Sequence, residues 1–121
     1  DVCSSDLLRE CVETLPPTGI RINTYRVAGG GSKSDTWIQV SADIMGRPFV
    51  RPVITEAGAL GSAIIAGTGV RAFSSFEGGI EAMVKLERTF EPDPQRHKHY
   101  QRYFEKYRQL WPLIQDYLHE L

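Results

Sequence analysis

Val27-Ala28-Gly29-Gly30-Gly31-Ser32-Lys33-Ser34-Asp35-Thr36-Trp37 joins a short apolar stretch to an amphipathic one. The three glycines fall where a strand ends, and Ser34-Asp35 fall where a helix begins. Glycine lets a backbone approach a ligand closely, and a helix N-terminus offers free N–H groups to an anion. The run therefore has two readings. It is a surface for a nucleotide, or a tight strand–helix turn that holds nothing.

Two phosphate-binding patterns fail here. A Walker P-loop needs glycine directly before Lys-Ser, where this chain has Ser32, and glycine at the place of Val27. The dinucleotide pattern G-x-G-x-x-G would put its last glycine at Ser34.

Outward from the run, the order is helix, strand, helix, strand, then helices. Leu7, Leu8, Cys11, Val12 and Leu15 recur at helical spacing. Asp6 is placed to cap that helix, with Arg9 and Glu10 facing water. Pro16-Pro17-Thr18-Gly19 stops it. Ile20, Ile22, Tyr25 and Val27 lead into a short strand. The spacing predicts a helix over 35–45, with Gln39 and Asp43 interrupting its apolar side and Gly46 as its stop. Pro48 to Val53 reads as a second strand, its prolines pointing to an edge or a strand end.

Glu56 to Gly67 reads as a helix of small residues, which makes sense where another backbone passes close. Ser74 and Ser75 cap a further helix carrying Ile80, Met83, Val84 and Leu86. Phe90-Glu91-Pro92-Asp93-Pro94 reads as a stiff linker, with Asp93 capping a long Tyr-rich helix that runs through Leu118 and Leu121 and that Pro112 should kink. Two strands around a helix suggest a parallel pair. Two strands make a poor sheet, so further strands are expected in a preceding part of a longer protein.

With 121 residues, 41% hydrophobic and 24% charged, the chain is long enough for one domain with a core. A net charge of −1 gives no electrostatic footprint for nucleic acid. No segment reads as membrane-spanning or as a signal peptide, so a cytoplasmic setting is expected. Cys3 and Cys11, if on one helix, stand about 12 Å apart along its axis, too far for a disulfide. Cys11 is expected as core filler. His97 and His99 point about 200° apart on a helix and make no metal pair. All three histidines, His119 included, are expected at the surface. Residues 1–6 differ in character from the rest of the chain and are expected to be a non-native or disordered leader, with one domain over 7–121.

Three linked segments carry a family resemblance: 27–37, then Ser41-Ala42-Asp43-Ile44-Met45-Gly46-Arg47-Pro48, then Glu56-Ala57-Gly58-Ala59-Leu60-Gly61-Ser62-Ala63. With the Phe90–Pro94 tail, they resemble the end of the C-terminal domain of the FGGY carbohydrate kinases, the xylulokinase branch most nearly. The resemblance implies an α/β fold: part of an actin-like, ribonuclease H-like ATPase domain with short parallel strands, packed helices and a long C-terminal helix. It implies ATP or ADP, with magnesium, and a ketose or polyol such as xylulose, bound between two domains. Gly30, flanked by Gly29 and Gly31, would lie against the nucleotide, and Ser34 would match the polar contact to the base. Lys33 reads as a solvated lysine rather than a phosphate ligand, and Asp35 as a cap or first-turn acid rather than a magnesium ligand. The family's catalytic base, an upstream Asp, and its phosphate loops match nothing here, so no catalytic residue or metal ligand is assigned, and the fragment alone is expected to be inactive. A homodimeric parent is compatible with this reading. Two rivals remain open: an ATPase of the same superfold acting on no sugar, and a non-enzymatic helical interaction module.

Overall fold

A computed structural model of the chain describes residues 2–120. Helix α1 spans Val2–Glu13, and a 3-10 turn at Pro16–Thr18 comes next. Gly19 closes that turn with φ 85°. Strand β1 is Tyr25–Arg26, a second 3-10 turn covers Gly30–Lys33, and α2 runs Asp35–Met45. Then come β2 (Phe49–Pro52), α3 (Ala57–Gly69), α4 (Phe76–Met83), β3 (Leu86–Phe90) and α5 (Pro94–His119).

The sheet order is β1-β2-β3. Strands β1 and β2 are parallel, with Tyr25 opposite Phe49 and Arg26 opposite Val50. β3 is antiparallel to β2, with Phe49 opposite Phe90 and Val50 opposite Thr89. The parallel pair is as expected, but β2 is the central strand of the three. Its prolines are tolerated because Pro48 precedes it and Pro52 ends it at a register shift. β3 was not legible. Four of its five residues are exposed, so it shows no alternation of apolar and polar side chains. Leu86, read as part of a helix, starts this strand.

The core gathers Val27, Ile38, Ala42, Met45, Phe49 and Phe90, with Val12 and Tyr25 packed against it. Helix α2 supplies the middle of it. Ser34 caps α2 by accepting from the Trp37 N–H at 3.2 Å. Gly46 ends it in the left-handed region, at φ 62°. A Cβ on Gly46 would meet the His97 ring at 2.6 Å, so glycine is required there twice over.

Two buried polar residues tie the helices together, and one of them, Arg9, differs from expectation. Asp43 interrupts the apolar side of α2, as its spacing predicts, and is buried there, only 1% exposed. Its Oδ1 accepts from Gln39 Nε2 at 2.9 Å and from the Asp93 N–H at 2.8 Å. Its Oδ2 accepts from Arg96 Nε at 2.6 Å. His97 Nδ1 lies 2.8 Å from the Asp43 carbonyl, so His97 is a half-buried structural residue, not a free surface one. Arg9 is buried rather than solvated. It donates to Glu13 at 2.9 Å, to the Ile44 carbonyl at 3.2 Å and to Gln101, and its guanidinium covers the Phe104 ring at 4.1 Å. In this way α1, α2 and α5 share one clamp.

Other positions also depart from expectation. Asp6 lies inside α1 rather than at its cap. It is buried, its Oδ1 has no hydrogen-bond partner among the described residues, and burial pushes its carboxyl up, against the opposing pull of Arg9. Cys11 is free and exposed, not core. The side chains of Cys3 and Leu118, and all of Asp1 and Leu121, lie outside the described residues. Phe104 is the buried anchor of the aromatic stripe on α5, whereas Tyr103, Leu110, Trp111 and Tyr117 are exposed.

Asp43→Ala should destabilise the chain by about 1–3 kcal/mol, because it leaves the Asp93 N–H and the Gln39 amide without their acceptor while the exposed Arg96 recovers water. Urea denaturation measures this. A loss under about 1 kcal/mol would show that the clamp is marginal.

Candidate functional site

The glycine run leaves the end of β1 and crosses above β2. The Val27 N–H donates to the Val50 carbonyl at 3.0 Å, and the Gly29 N–H to the Thr55 carbonyl at 2.7 Å. Lys33 and Glu56, both exposed, pair at 3.6 Å. The run therefore sits beside the start of α3, at the edge where both parallel strands finish. In open α/β sheets this is the edge where ligands bind.

The three glycines are not equivalent. Gly29 has φ 82° and ψ −168°, a conformation open essentially to glycine alone. Its carbonyl accepts from the Ser32 hydroxyl at 2.6 Å, and Ser32 is 1% exposed. Gly30 has no positive φ, and a Cβ there would meet nothing within 4 Å among the described residues. At Gly31 a Cβ would make ordinary contact with the Trp37 ring, 3.7 Å away. The fold thus demands glycine at 29, but nothing described in this chain demands it at 30.

Ser34 caps α2 with one lone pair, which leaves its O–H free to donate. Asp35 is a first-turn acid, as expected, and more besides. Arg51 of β2 donates to Asp35 Oδ1 at 2.6 Å, to the Ser32 carbonyl at 3.2 Å and to Glu87 at 2.8 Å. Arg88 of β3 holds the other Asp35 oxygen. Both guanidiniums flank Phe90, at 5.4 and 4.5 Å from its ring centre. Arg51 therefore pins the glycine turn onto the sheet. The sequence carried no signal for it, since its partners lie 16, 19 and 36 positions away. The Arg51 hydrogen bond holds the Asp35 carboxyl below its ordinary range, and the Arg51 guanidinium is raised in return.

Helix α3 meets its expectation only in part. Gly67 receives the Phe73 ring, where a Cβ would lie 2.6 Å from it. Gly58 and Gly61 face open space, with no backbone of the described chain passing close. Of two clefts, of about 490 and 380 Å³, the second is lined by Asp35 and Thr36 at the end of the run, but neither is lined by Gly29, Gly30, Gly31 or Ser34. The glycine surface is open rather than enclosed. Among the described residues no three His, Cys, Asp or Glu side chains converge, and the acids beside the run, Asp35 and Glu56, are paired with Arg51, Arg88 and Lys33. No helix among them is long and apolar enough to cross a membrane.

The fold is that of the actin-like ATPase class. A xylulose kinase of known structure from Rhodospirillum rubrum superimposes on 96% of this chain and 24% of its own, with TM-score 0.77 and 22% identity. A second, from Brucella ovis, covers 93% of this chain and 23% of its own, with TM-score 0.71 and 24% identity. The model of the C-terminal domain of the FGGY family of carbohydrate kinases matches residues 6–70, and the chain belongs to that family. Autoinducer-2 kinase of Escherichia coli strain K12 is 51% identical over 74 residues, 61% of this chain and 14% of the relative. Xylulose kinase of Staphylococcus epidermidis is 31% identical over 104 residues, 86% of this chain and 21% of the relative. The chain thus spans about a seventh to a fifth of the length of these relatives.

The difference among the glycines is measurable by urea denaturation. Gly29→Ala should cost about 1–3 kcal/mol through backbone strain. Gly30→Ala should be neutral or stabilise by up to about 1 kcal/mol, since it only restricts the unfolded chain. Equal losses at both positions would contradict the assignment.

A second expectation concerns acid. The Asp35 carboxyl titrates below its unfolded value of about 3.9, so its contribution is complete above that pH and is lost as pH falls through the folded value. Asp35→Asn should flatten the stability curve below about pH 4. An unchanged slope would remove Asp35 from the acid response.

Proposed function

We propose that this chain is the adenosine-facing, C-terminal part of an ATP-dependent sugar kinase. The observation that carries the proposal is Gly30: a bare, open backbone position that the chain's own packing does not require, at the ligand edge of the parallel strands, in a carbohydrate kinase family. The backbone of Gly29, Gly30 and Gly31 would pass along the nucleotide. The Ser34 hydroxyl would donate to the base while still capping α2. Bound ATP supplies the phosphoryl group for a sugar hydroxyl. The work of these residues is binding and orientation; the catalytic base and the magnesium ligands would belong to a preceding part of the protein. Phosphoryl transfer depends mainly on such positioning. Without that part, the chain should bind ADP weakly and catalyse nothing. The setting proposed is cytoplasmic, with nucleotide and sugar as ligands, no nucleic-acid or membrane partner, and a homodimeric parent.

For the acceptor, the sequence motifs favour a ketose or polyol of the xylulose kind. A second reading is favoured by identity, at 51% to an autoinducer-2 kinase against 31% to a xylulose kinase. Autoinducer-2 is then the acceptor to try first.

ADP titrated into the isotope-labelled chain should shift the amides of residues 29–34, and Gly30→Leu should lower its affinity at least about tenfold, or 1.4 kcal/mol. The full product of the gene should release ADP from ATP with xylulose or autoinducer-2. Turnover of ATP with neither acceptor would point to an ATPase of the same superfold. Unchanged nucleotide affinity in Gly30→Leu would favour a helical interaction module instead.

A further inference from the structure

A second concave surface with unpaired charge lies at the opposite edge of the sheet. Strands β1 and β2 are parallel, so the residues leading into them, 20–24 and 46–48, lie at the edge away from the glycine run. A cleft of about 490 Å³ opens there between α1, these two segments and the start of α5. That volume is within the range of small-ligand sites. Val12, Ile20, Ile22, Tyr25 and Met45 form its apolar walls.

Its charges do not balance. Arg9, Arg21 and Arg47 line it, with Glu13 as the one carboxylate among the lining residues. Glu13 is taken by Arg9 at 2.9 Å and shared with Arg108 at 4.0 Å. Arg21 has no ion-pair or hydrogen-bond partner among the described residues. Arg47 donates, among the described residues, only to the carbonyl of its neighbour Gly46, at 3.4 Å, and its charge acts on the Tyr25 hydroxyl. The cleft therefore presents two uncompensated guanidiniums beside an apolar wall that includes an aromatic ring. A guanidinium binds phosphate through paired N–H donors. Two of them match a phosphate monoester, which carries a charge of about −2 near neutral pH, better than a carboxylate with a single charge.

We propose that this cleft binds a small phosphate monoester, its phosphate between Arg21 and Arg47 and its organic body against Tyr25, Ile22 and Met45. The site is separate from the nucleotide surface and does not depend on the kinase reading.

The labelled chain should be titrated in turn with phenyl phosphate, benzoate, benzyl alcohol and inorganic phosphate. Phenyl phosphate should shift amides within 20–25 and 45–47, and should bind at least about tenfold more tightly than benzyl alcohol, the return expected of one charge-assisted contact. Benzoate and inorganic phosphate should fall between, each lacking part of the match. The double variant Arg21→Ala/Arg47→Ala should lower phenyl phosphate affinity at least about tenfold with a spectrum otherwise unchanged, since both side chains are exposed. Equal affinity for phenyl phosphate and benzyl alcohol in the native chain overturns the proposal, whatever the variant does. So do shifts confined to 29–34, or a double variant that binds as the native chain does. The ADP titration reads different amides, so either proposal can fail while the other stands.

Discussion

The buried carboxylate of Asp43 is the constraint on which the rest of the structure depends. Helix α2 sits on the sheet through Ile38, Ala42 and Met45, and apolar burial holds it there. The start of α5 is tied to α2 by polar contacts. Asp43 provides them, accepting from the Asp93 backbone and from Arg96 and Gln39, while its own carbonyl meets His97. Asp93 in turn caps α5 by accepting from the N–H groups of Gln95 and Arg96. Those backbone donors, Arg96 first, hold the Asp93 carboxyl below its ordinary range. A buried charge with every oxygen answered is directional in a way that apolar packing is not. It sets the register of α5, brings Phe104 to Arg9, and closes one wall of the cleft at the starting edge of the strands.

The two edges of the parallel pair then take on different characters. At the finishing edge the chain exposes bare backbone, with Arg51 holding the turn down through the Ser32 carbonyl and Asp35. At the starting edge it exposes side-chain cations around an apolar hollow. The first arrangement suits a flat group that must lie close to the main chain. The second suits a compact anion. Polarity within the short parallel pair is enough to separate them, because residues before and after a strand cannot share an edge.

The glycine run shows why motif and geometry need one another. Read as letters, its three glycines are equal. In the structure Gly29 answers to backbone conformation, Gly31 stands at contact distance from a ring, and Gly30 answers to nothing in the described chain. The same distinction sorts α3, where Gly67 makes room for Phe73 while Gly58 and Gly61 look outward. Glycine inside a helix costs about 1 kcal/mol against alanine, and at Gly58 and Gly61 no contact of the described chain offsets it.

By itself the sequence determined the local elements whose signals are short-range. These are the stop at Pro16–Gly19, the cap at Ser34, the span of α2 with its end at Gly46, and the Asp93–Pro94 start of α5. Such features depend on residues within four positions of each other, so spacing alone exposes them. It also carried the family, through linked motifs. Tertiary structure decided the rest. Strand β3, with no alternation, exists because β2 offers it a ladder of hydrogen bonds. Arg9 reads as a surface charge and Asp43 as a polar break in an apolar face, because their partners, more than 30 positions away, are brought in only by the fold. The pairing of Arg51 with Asp35, and the presence of Arg21 and Arg47 on one cleft, likewise belong to the fold: no sequence period relates residues that the fold alone brings to one place.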